Sequence, residues 1–425
     1  MTFIKKHLDN GIRVMLVPHG GTTAVTTLAL YEVGSRYESA KLNGASHFIE
    51  HMMFKGTRRR PATLDISRDL DAVGADYNAF TGKDYTGYYV KLQSEKMGLA
   101  VDLLDDMIYN SVYRADDVDS ERQVILEELR MYEDNPIMFV EELVEEELYR
   151  GSPLGMRIGG TVKSVSGLTR AGLVEYRDRY YVPSRTVIAI AGNFEPEDAL
   201  RMLNRKFGRR KGKGRPRAFT KAKKTGYTAP RVHVHERDTE QVQLAIGFPA
   251  YPYGHAKLPA LSVLSTILGG TMSSRLFTAV REREGLCYFI RSAASPYQDI
   301  GDLTIQAGLA KDRFEKAMKI IIRELRRMKD RKVTNEELNR SKDYVRGKLA
   351  LALEDSSRQA DWYAKQELLM KKVMTPEQRL ARIVKVTRDD VQRVANDVFR
   401  ANRASIAVIG PFKKKRPFID SINRL

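Results

Sequence analysis

Cysteine is almost missing from this chain: Cys287 stands alone among 425 residues. One thiol can close no internal disulfide and build no cysteine-based zinc centre. The chain therefore needs no oxidising compartment, and a cytoplasmic location is the expectation. Long apolar runs are missing too, since none approaches the ~20 residues that a membrane-spanning helix requires. The opening stretch, "MTFIKKHLDNGIRVMLVPHG", carries neither an apolar signal core nor a small-residue cleavage site. It reads instead as two strands around an Asp9-Asn10-Gly11 turn. Histidine is sparse, at seven residues, so two of them close together stand out.

Charge of one sign is in excess, with 72 Lys and Arg against 54 Asp and Glu and a net charge of +18. That excess is unevenly spread. The run "RRKGKGRPRAFTKAKK", Arg209 to Lys224, holds nine basic residues among glycines and a proline, and reads as a solvated linker and hinge. Between Asp102 and Glu147 carboxylates dominate, which points to a preference for basic or amphipathic peptides. Neither stretch interleaves the aromatics of a single-strand binding surface, so nucleic acid is not the expected partner.

The sequence is written twice. "SRTVIAIAGNF" (184–194) returns as "NRASIAVIGPF" (402–412), matching Arg185 with Arg403, Gly192 with Gly410 and Phe194 with Phe412. Both are apolar strands ending at a glycine. The same offset roughly aligns "TTLALYEV" (26–33) with "VQLAIGFP" (242–249), and lays the helix at His47 over "LSVLSTILGG" (261–270). Each half reads as strands, helices, two strands, long helices, then a closing strand and helix. This pattern predicts an α+β fold of two tandem similar domains, each a mainly antiparallel sheet covered by helices. The boundaries are placed at 1–211 for the first domain, 212–229 for a basic linker and 230–425 for the second. Where the first copy has His47, Glu50 and His51, the aligned stretch of the second has nothing that binds metal.

That decoration is "GASHFIEHMMFKGT", Gly44–Thr57, on a helix for which Asn43 is the predicted cap. His47 and His51 are four residues apart and project from one face, and Glu50 shares it. Two imidazoles at this spacing can bite one zinc ion. A neighbouring carboxylate can then take the proton of an activated water, as in the H-x-x-E-H order of inverted zinc peptidases. A third ligand is sought in "SERQVILEELRMYEDNP", Ser120–Pro136, read as a helix burying Val124, Ile125, Leu129 and Tyr132. Glu121 and Glu128 fall on one side of it, and Glu127 points about 100° away from Glu128. An inward carboxylate there needs a partner. His233 and His235 alternate along a strand with no suitable third partner, and Cys287 reads as a small core residue.

The chain resembles the M16 metallopeptidases, which include the mitochondrial processing peptidases, pitrilysin and the insulin-degrading enzymes. The likeness runs through "VGSRYES", "HFIEHMMFKGT", "DYNAFTGKDYTGYYV", "ERQVILEELRMYEDNP", "LTRAGLVEYRDRYYVPSRTVIAIAGNF" and "LGGTMSSRLFTAVREREGLCYFI", in order. It is similar to the two-domain, processing-peptidase-like branch. The resemblance implies one zinc ion held by His47, His51 and Glu128, with Glu50 as general base and Glu121 supporting the ligands. It further implies Asn78 as a substrate-binding residue, and Arg281 and Tyr288 as a catalytic pair from the second domain. The implied protein is a zinc endopeptidase for peptides or short unfolded polypeptides, its two domains facing each other around a chamber. A homodimer is the expected assembly and a heterodimer the alternative, with no membrane partner. The competing function is a non-catalytic scaffold or partner subunit of a peptidase-like complex.

Overall fold

A computed structural model describes residues 2–212, 214–222 and 228–425. The chain divides into two compact units. The first comprises residues 1–129, 156–220 and 349–376, and the second residues 130–155, 221–348 and 377–425.

The first unit is built on a six-stranded sheet. Its strands are β1 (Ile4–His7), β2 (Arg13–Pro18), β3 (Ala24–Tyr31), β4 (Asp76–Thr81), β5 (Thr86–Gln93) and β6 (Thr186–Gly192), in the order β1-β2-β6-β3-β5-β4. Only β2 and β6 run parallel; the other neighbours are antiparallel. The turn between β1 and β2 is the one the sequence announced, and Gly11 takes the positive φ of 88° that a side chain resists. Three helices matter for the site: α1 (Ala45–Met52), α2 (Met97–Asn110) and α3 (Ala115–Asp134). The chain leaves this unit inside α3, after Leu129.

The second unit repeats the plan with α4 (Pro136–Leu148) and α5 (Leu258–Gly269). Its sheet holds β7 (Arg231–Glu236), β8 (Gln241–Ala250), β9 (Cys287–Pro296), β10 (Gly301–Ala310) and β11 (Ser405–Gly410), in the order β7-β11-β8-β10-β9. Here β7 and β11 are the parallel pair. Strand for strand, β7, β11, β8, β10 and β9 stand where β2, β6, β3, β5 and β4 stand in the first unit. The predicted α+β class and internal duplication are therefore both present.

The compact units and the sequence halves are different divisions of the chain, because two helices are exchanged. A helix from the second half, α6 (Ser356–Met370), lies on β3 and β6 of the first unit. In turn α4, from the first half, lies on β8 and β11 of the second. The sequence of the closing strands explains why a cover is needed. In β6, Ile188 and Ile190 point into the main core beneath α1 and α2, while Val187, Ala189 and Ala191 pack with Ala360, Tyr363, Ala364 and Leu368 of α6. In β11, Ile406 and Val408 face the main core, while Ala407 and Ile409 meet Phe139, Val140, Leu143 and Val144 of α4. A strand apolar on both faces must be buried on both. The alanines let the covering helix approach closely. Asn135 caps α4 by accepting from the amides of Ile137 (3.2 Å) and Met138 (3.4 Å), with Pro136 in the first turn.

Part of the charge is taken up inside the fold. The carboxylates Asp102, Asp105 and Asp106 of α2 are consumed inside the first unit. Asp102 and Asp106 pair with Arg59 and Arg60, Asp102 also with Lys206, and Asp105 with Arg210. Glu147 pairs with Arg150. These four acids thus serve internal ion pairs. The basic run is also less loose than its composition implies, as far as it is described. Arg217 accepts a hydrogen bond from Arg185 (2.9 Å), and the Phe219 ring lies 3.8 Å from the Arg36 guanidinium. Lys213 and residues 223–227 of the linker lie outside the described residues. No helix among the described residues is long and apolar enough to cross a membrane.

Candidate metal centre

Helix α1 is two turns long, too short to hold its shape without help at its ends. Its start is Gly44, with φ of 95°, where an added Cβ would stand 2.7 Å from the Gly159 carbonyl oxygen. Asn43 does not cap it, contrary to expectation. The Asn43 amide donates to Glu38 Oε2 (3.1 Å) and to the Arg157 carbonyl (2.8 Å). The cap is Glu38 itself, which accepts from Gly44 N (2.8 Å) and Ser46 N (2.7 Å). The reason is electrostatic: a full carboxylate satisfies two orphan amides at the positive end of the helix, where a carboxamide oxygen offers less. Burial pushes the Glu38 carboxyl up to about 7, against the pull of its donors on Ser46, Asn43 and Gly44.

On the exposed face of α1 the two histidines converge. Their Nε2 atoms lie 3.2 Å apart, and Glu128 Oε2 of α3 is 3.6 Å from the first and 3.5 Å from the second. The register on α3 explains this meeting. Its buried residues are Val118, Glu121, Ile125, Leu126 and Leu129, and half-buried Glu128 falls at the edge of the face they form. Val124 does not belong to it and is 49% exposed, about 100° round the helix from Ile125. Glu127 is exposed as well. Glu121 meets the opposite nitrogen of His51, with its Oε1 2.8 Å from Nδ1, while its other oxygen pairs with Lys55.

These donors fit a divalent cation. Ligands held at ~2.0–2.1 Å in a tetrahedron lie about 3.4 Å apart, close to the three separations seen here. Two imidazoles and one carboxylate are also a donor set that catalytic zinc accepts. Among the described residues, His47, His51 and Glu128 form the one group of three or more such side chains able to hold a metal. The protonation balance agrees. Burial and the neighbouring His51 charge push His47 down to about 4. Burial opposes charge on His51 as well, but hydrogen bonds to Glu121 and Glu128 outweigh it and lift that ring to about 9. The carboxylates thus favour positive charge at the cluster, which suits a bound cation.

Glu50 stands beside the cluster without joining it. Burial raises its carboxyl above the ordinary range, and the Thr81 hydroxyl, donating to Oε2 at 2.5 Å, pulls the other way. Thr81 ends β4, the edge strand of the sheet. Tyr77 and Ala79 of β4 pack towards α1, so Thr81, two residues on, faces Glu50 by the period of a strand. The sequence reading missed Thr81, Lys55 and Glu38. Strand alternation from Ala79 was the available signal for Thr81, and "VGSRYES" contained Glu38. Asn78 is not brought to the cluster. It is exposed on the same strand, its side-chain Oδ1 accepting from Ala79 N (2.8 Å).

Arg281 and Tyr288 belong to the second unit. Arg281 sits in a wide π-turn, Phe277–Glu282, with its guanidinium 4.8 Å from the Phe277 ring and 5.3 Å from the Tyr288 ring. Tyr288, 75% exposed, is the second residue of β9. His233 lies 3.7 Å from Glu147 and, among the described residues, forms no metal-holding group. Cys287 is half-buried, and burial pushes its thiol up to about 11, which suits packing and not nucleophilic attack.

Comparison with known proteins places this arrangement in context. Residues 14–162 match the family Insulinase (Peptidase family M16), and residues 167–345 match the Peptidase M16 inactive domain. An uncharacterized zinc protease of Streptomyces coelicolor is 37% identical over 413 residues, 96% of this chain and 90% of that one. The chain belongs to peptidase family M16. Its M16 relatives include the uncharacterized zinc protease YmxG of Bacillus subtilis, 35% identical over 95% of this chain and 97% of that one. Two crystal structures share the M16 chain's fold. A protease from Helicobacter pylori superposes with a TM-score of 0.90 at 23% identity, over 96% of this chain and 99% of its own. A peptidase M16 inactive domain from Pseudomonas fluorescens gives 0.89 at 19% identity, over 97% and 99%. The family read from the motifs is thus the family found.

Proposed function

We propose that the chain is a zinc endopeptidase that cleaves peptides or short unfolded polypeptides. One observation carries this reading: His47, His51 and Glu128 bring three donor atoms to one point, with the Glu50 carboxyl beside them. His47, His51 and Glu128 would hold the ion, and Glu121 would fix the His51 ring by accepting from Nδ1. Zinc bound there supplies a water of lowered pKa and polarises a carbonyl.

The remaining chemistry belongs to the chain itself. Glu50 keeps Oε2 on the Thr81 hydroxyl, which leaves Oε1 to accept a proton from the attacking water and return it to the departing amine. Its raised proton affinity suits both transfers. Among the described residues no strand lies beside the outer edge of β4, so an extended peptide can add there and run towards Thr81 and Glu50. Asn78 on that edge would contribute its amide to the added strand. Arg281 and Tyr288 would donate to the substrate, so Arg281→Ala should lower turnover while zinc content stays the same.

The deciding experiment is metal analysis of the purified chain, paired with cleavage of a mixed peptide library with and without chelator. Glu50→Gln should fold and bind zinc as the parent does, with turnover lower by about 10²–10⁴. Cleavage at the parental rate in that variant would remove the general-base role. A chain that holds no zinc and cleaves nothing would favour the scaffold reading.

A further inference from the structure

The metal helix depends on a side chain outside the H-x-x-E-H segment. Glu38 is 3% exposed, and its two oxygens receive three hydrogen bonds: from Gly44 N, Ser46 N and Asn43 Nδ2. Those amides are the first free donors of α1, and the turn they open carries His47. Gly44 offers no side chain of its own and tolerates none, because of its positive φ and the Gly159 carbonyl beside it. The cap must therefore come from elsewhere in the chain.

A second set of contacts ties Glu38 to the back of the His47 ring. The Asn43 amide that donates to Glu38 also donates to the Arg157 carbonyl, at the start of a loop through Gly159 and Gly160. Both glycines are needed for the close approach. A Cβ at Gly160 would meet the Asn43 carbonyl at 2.6 Å, and one at Gly159 would meet Leu129 at 2.8 Å, with His47 Nδ1 at 3.9 Å. Leu129 is the neighbour of Glu128 on α3. Glu38, Asn43 and this loop thus hold the start of α1 against the helix that supplies the third donor.

We propose that Glu38 is a positioning residue for the metal centre: its buried carboxylate fixes the first turn of α1, and through it the separation of the His47 and His51 nitrogens. This rests on the zinc-peptidase reading and adds a residue to it. A two-turn helix that loses its cap frays from that end. His47 lies in the first turn and His51 one turn deeper, so fraying moves one donor relative to the other.

The test is Glu38→Gln at pH 8, read by zinc competition against a chelator and by the visible spectrum of the cobalt-substituted protein. Cooperative unfolding should persist. The zinc dissociation constant should rise about tenfold or more, as for other groups that orient ligands. The cobalt bands should shift, and turnover number should fall with KM little changed. A folded Glu38→Gln with parental zinc affinity and an unaltered cobalt spectrum would overturn the proposal. If that variant does not fold, Asn43→Ala decides, since it leaves the carboxylate in place but removes one donor and the tie to Arg157. It should weaken zinc about threefold with a smaller band shift, and parental behaviour there would equally overturn the proposal. The two readings separate cleanly: absence of zinc from the parent chain defeats the peptidase, whereas zinc retained unchanged by the variants defeats only the role of Glu38.

Discussion

Helices α1 and α5 occupy the same place in two copies of one fold and do opposite things. At the offset that aligns Gly192 with Gly410, His47, Glu50 and His51 correspond to Ser265, Leu268 and Gly269. In the first unit the helix meets its edge strand through the Thr81 hydroxyl on Glu50 and keeps two ring nitrogens accessible. In the second, Leu268 is fully buried, and Ser265 and Ser292 exchange hydrogen bonds of 3.2 and 2.8 Å between α5 and β9. A Cβ on Gly269 would stand 2.7 Å from the Ser292 amide nitrogen. The slot that holds donors in one copy is closed by backbone in the other. The second copy thus avoids ionisable groups that are costly to bury, and packing occupies the space. The match of residues 167–345 to a domain described as inactive agrees with this closure.

The largest effect expected is on the open copy. Glu128→Gln should weaken zinc by more than about a hundredfold, since even groups that only orient ligands cost 10–100-fold. Glu127→Gln, one residue away and exposed, should leave zinc retention as it is. Equal losses in a chelator competition would show that the register on α3 is wrong. The comparison can next be broken from the closed side. Gly269→His places a ring where no room exists and should cost about 1–3 kcal/mol of stability by overpacking, with no second equivalent of metal. Gain of a second zinc at undiminished melting temperature would refute the view that packing shut the slot.

The smallest effects separate the two helix–strand contacts. Ser292→Ala should cost about 1 kcal/mol in urea unfolding and leave turnover alone. Thr81→Ala should lower turnover severalfold, and its pH profile should move in a definite direction. The Thr81 hydrogen bond favours the Glu50 carboxylate and so holds its pKa down. Without it the pKa rises, a base must be deprotonated to act, and the acid limb of the profile shifts to higher pH. A shift the other way would show that Glu50 does not act as the base.

Much of this was legible before any coordinates. The strand "IAIAG" was continuously apolar because both faces of β6 are covered, and its second copy in β11 gave away the duplication. The spacing of His47, Glu50 and His51 was visible because a helix repeats every 3.6 residues. What the sequence concealed depends on contacts between distant segments. Asn43 has the usual composition of a cap, yet a carboxylate five residues earlier in the chain outcompetes it. Val124 fits an apolar periodicity, but the stripe that α3 buries is set by its neighbours and excludes it. The acids of α2 looked like a surface field until Arg59, Arg60, Lys206 and Arg210 folded onto them. No local pattern states which helix will cover the far side of a sheet.

The swapped helices set a timetable for synthesis. The last strand of the first sheet is complete at Gly192, but the helix that covers its far face ends at Met370. A ribosome adding roughly 5–20 residues per second leaves that greasy surface bare for about 10–35 s. Nascent chains stalled before Ser356 should therefore recruit holdase chaperones, and release from them should coincide with emergence of Tyr363 and Leu368. Recruitment that ends as soon as Gly192 has emerged would show that the uncovered face needs no guardian.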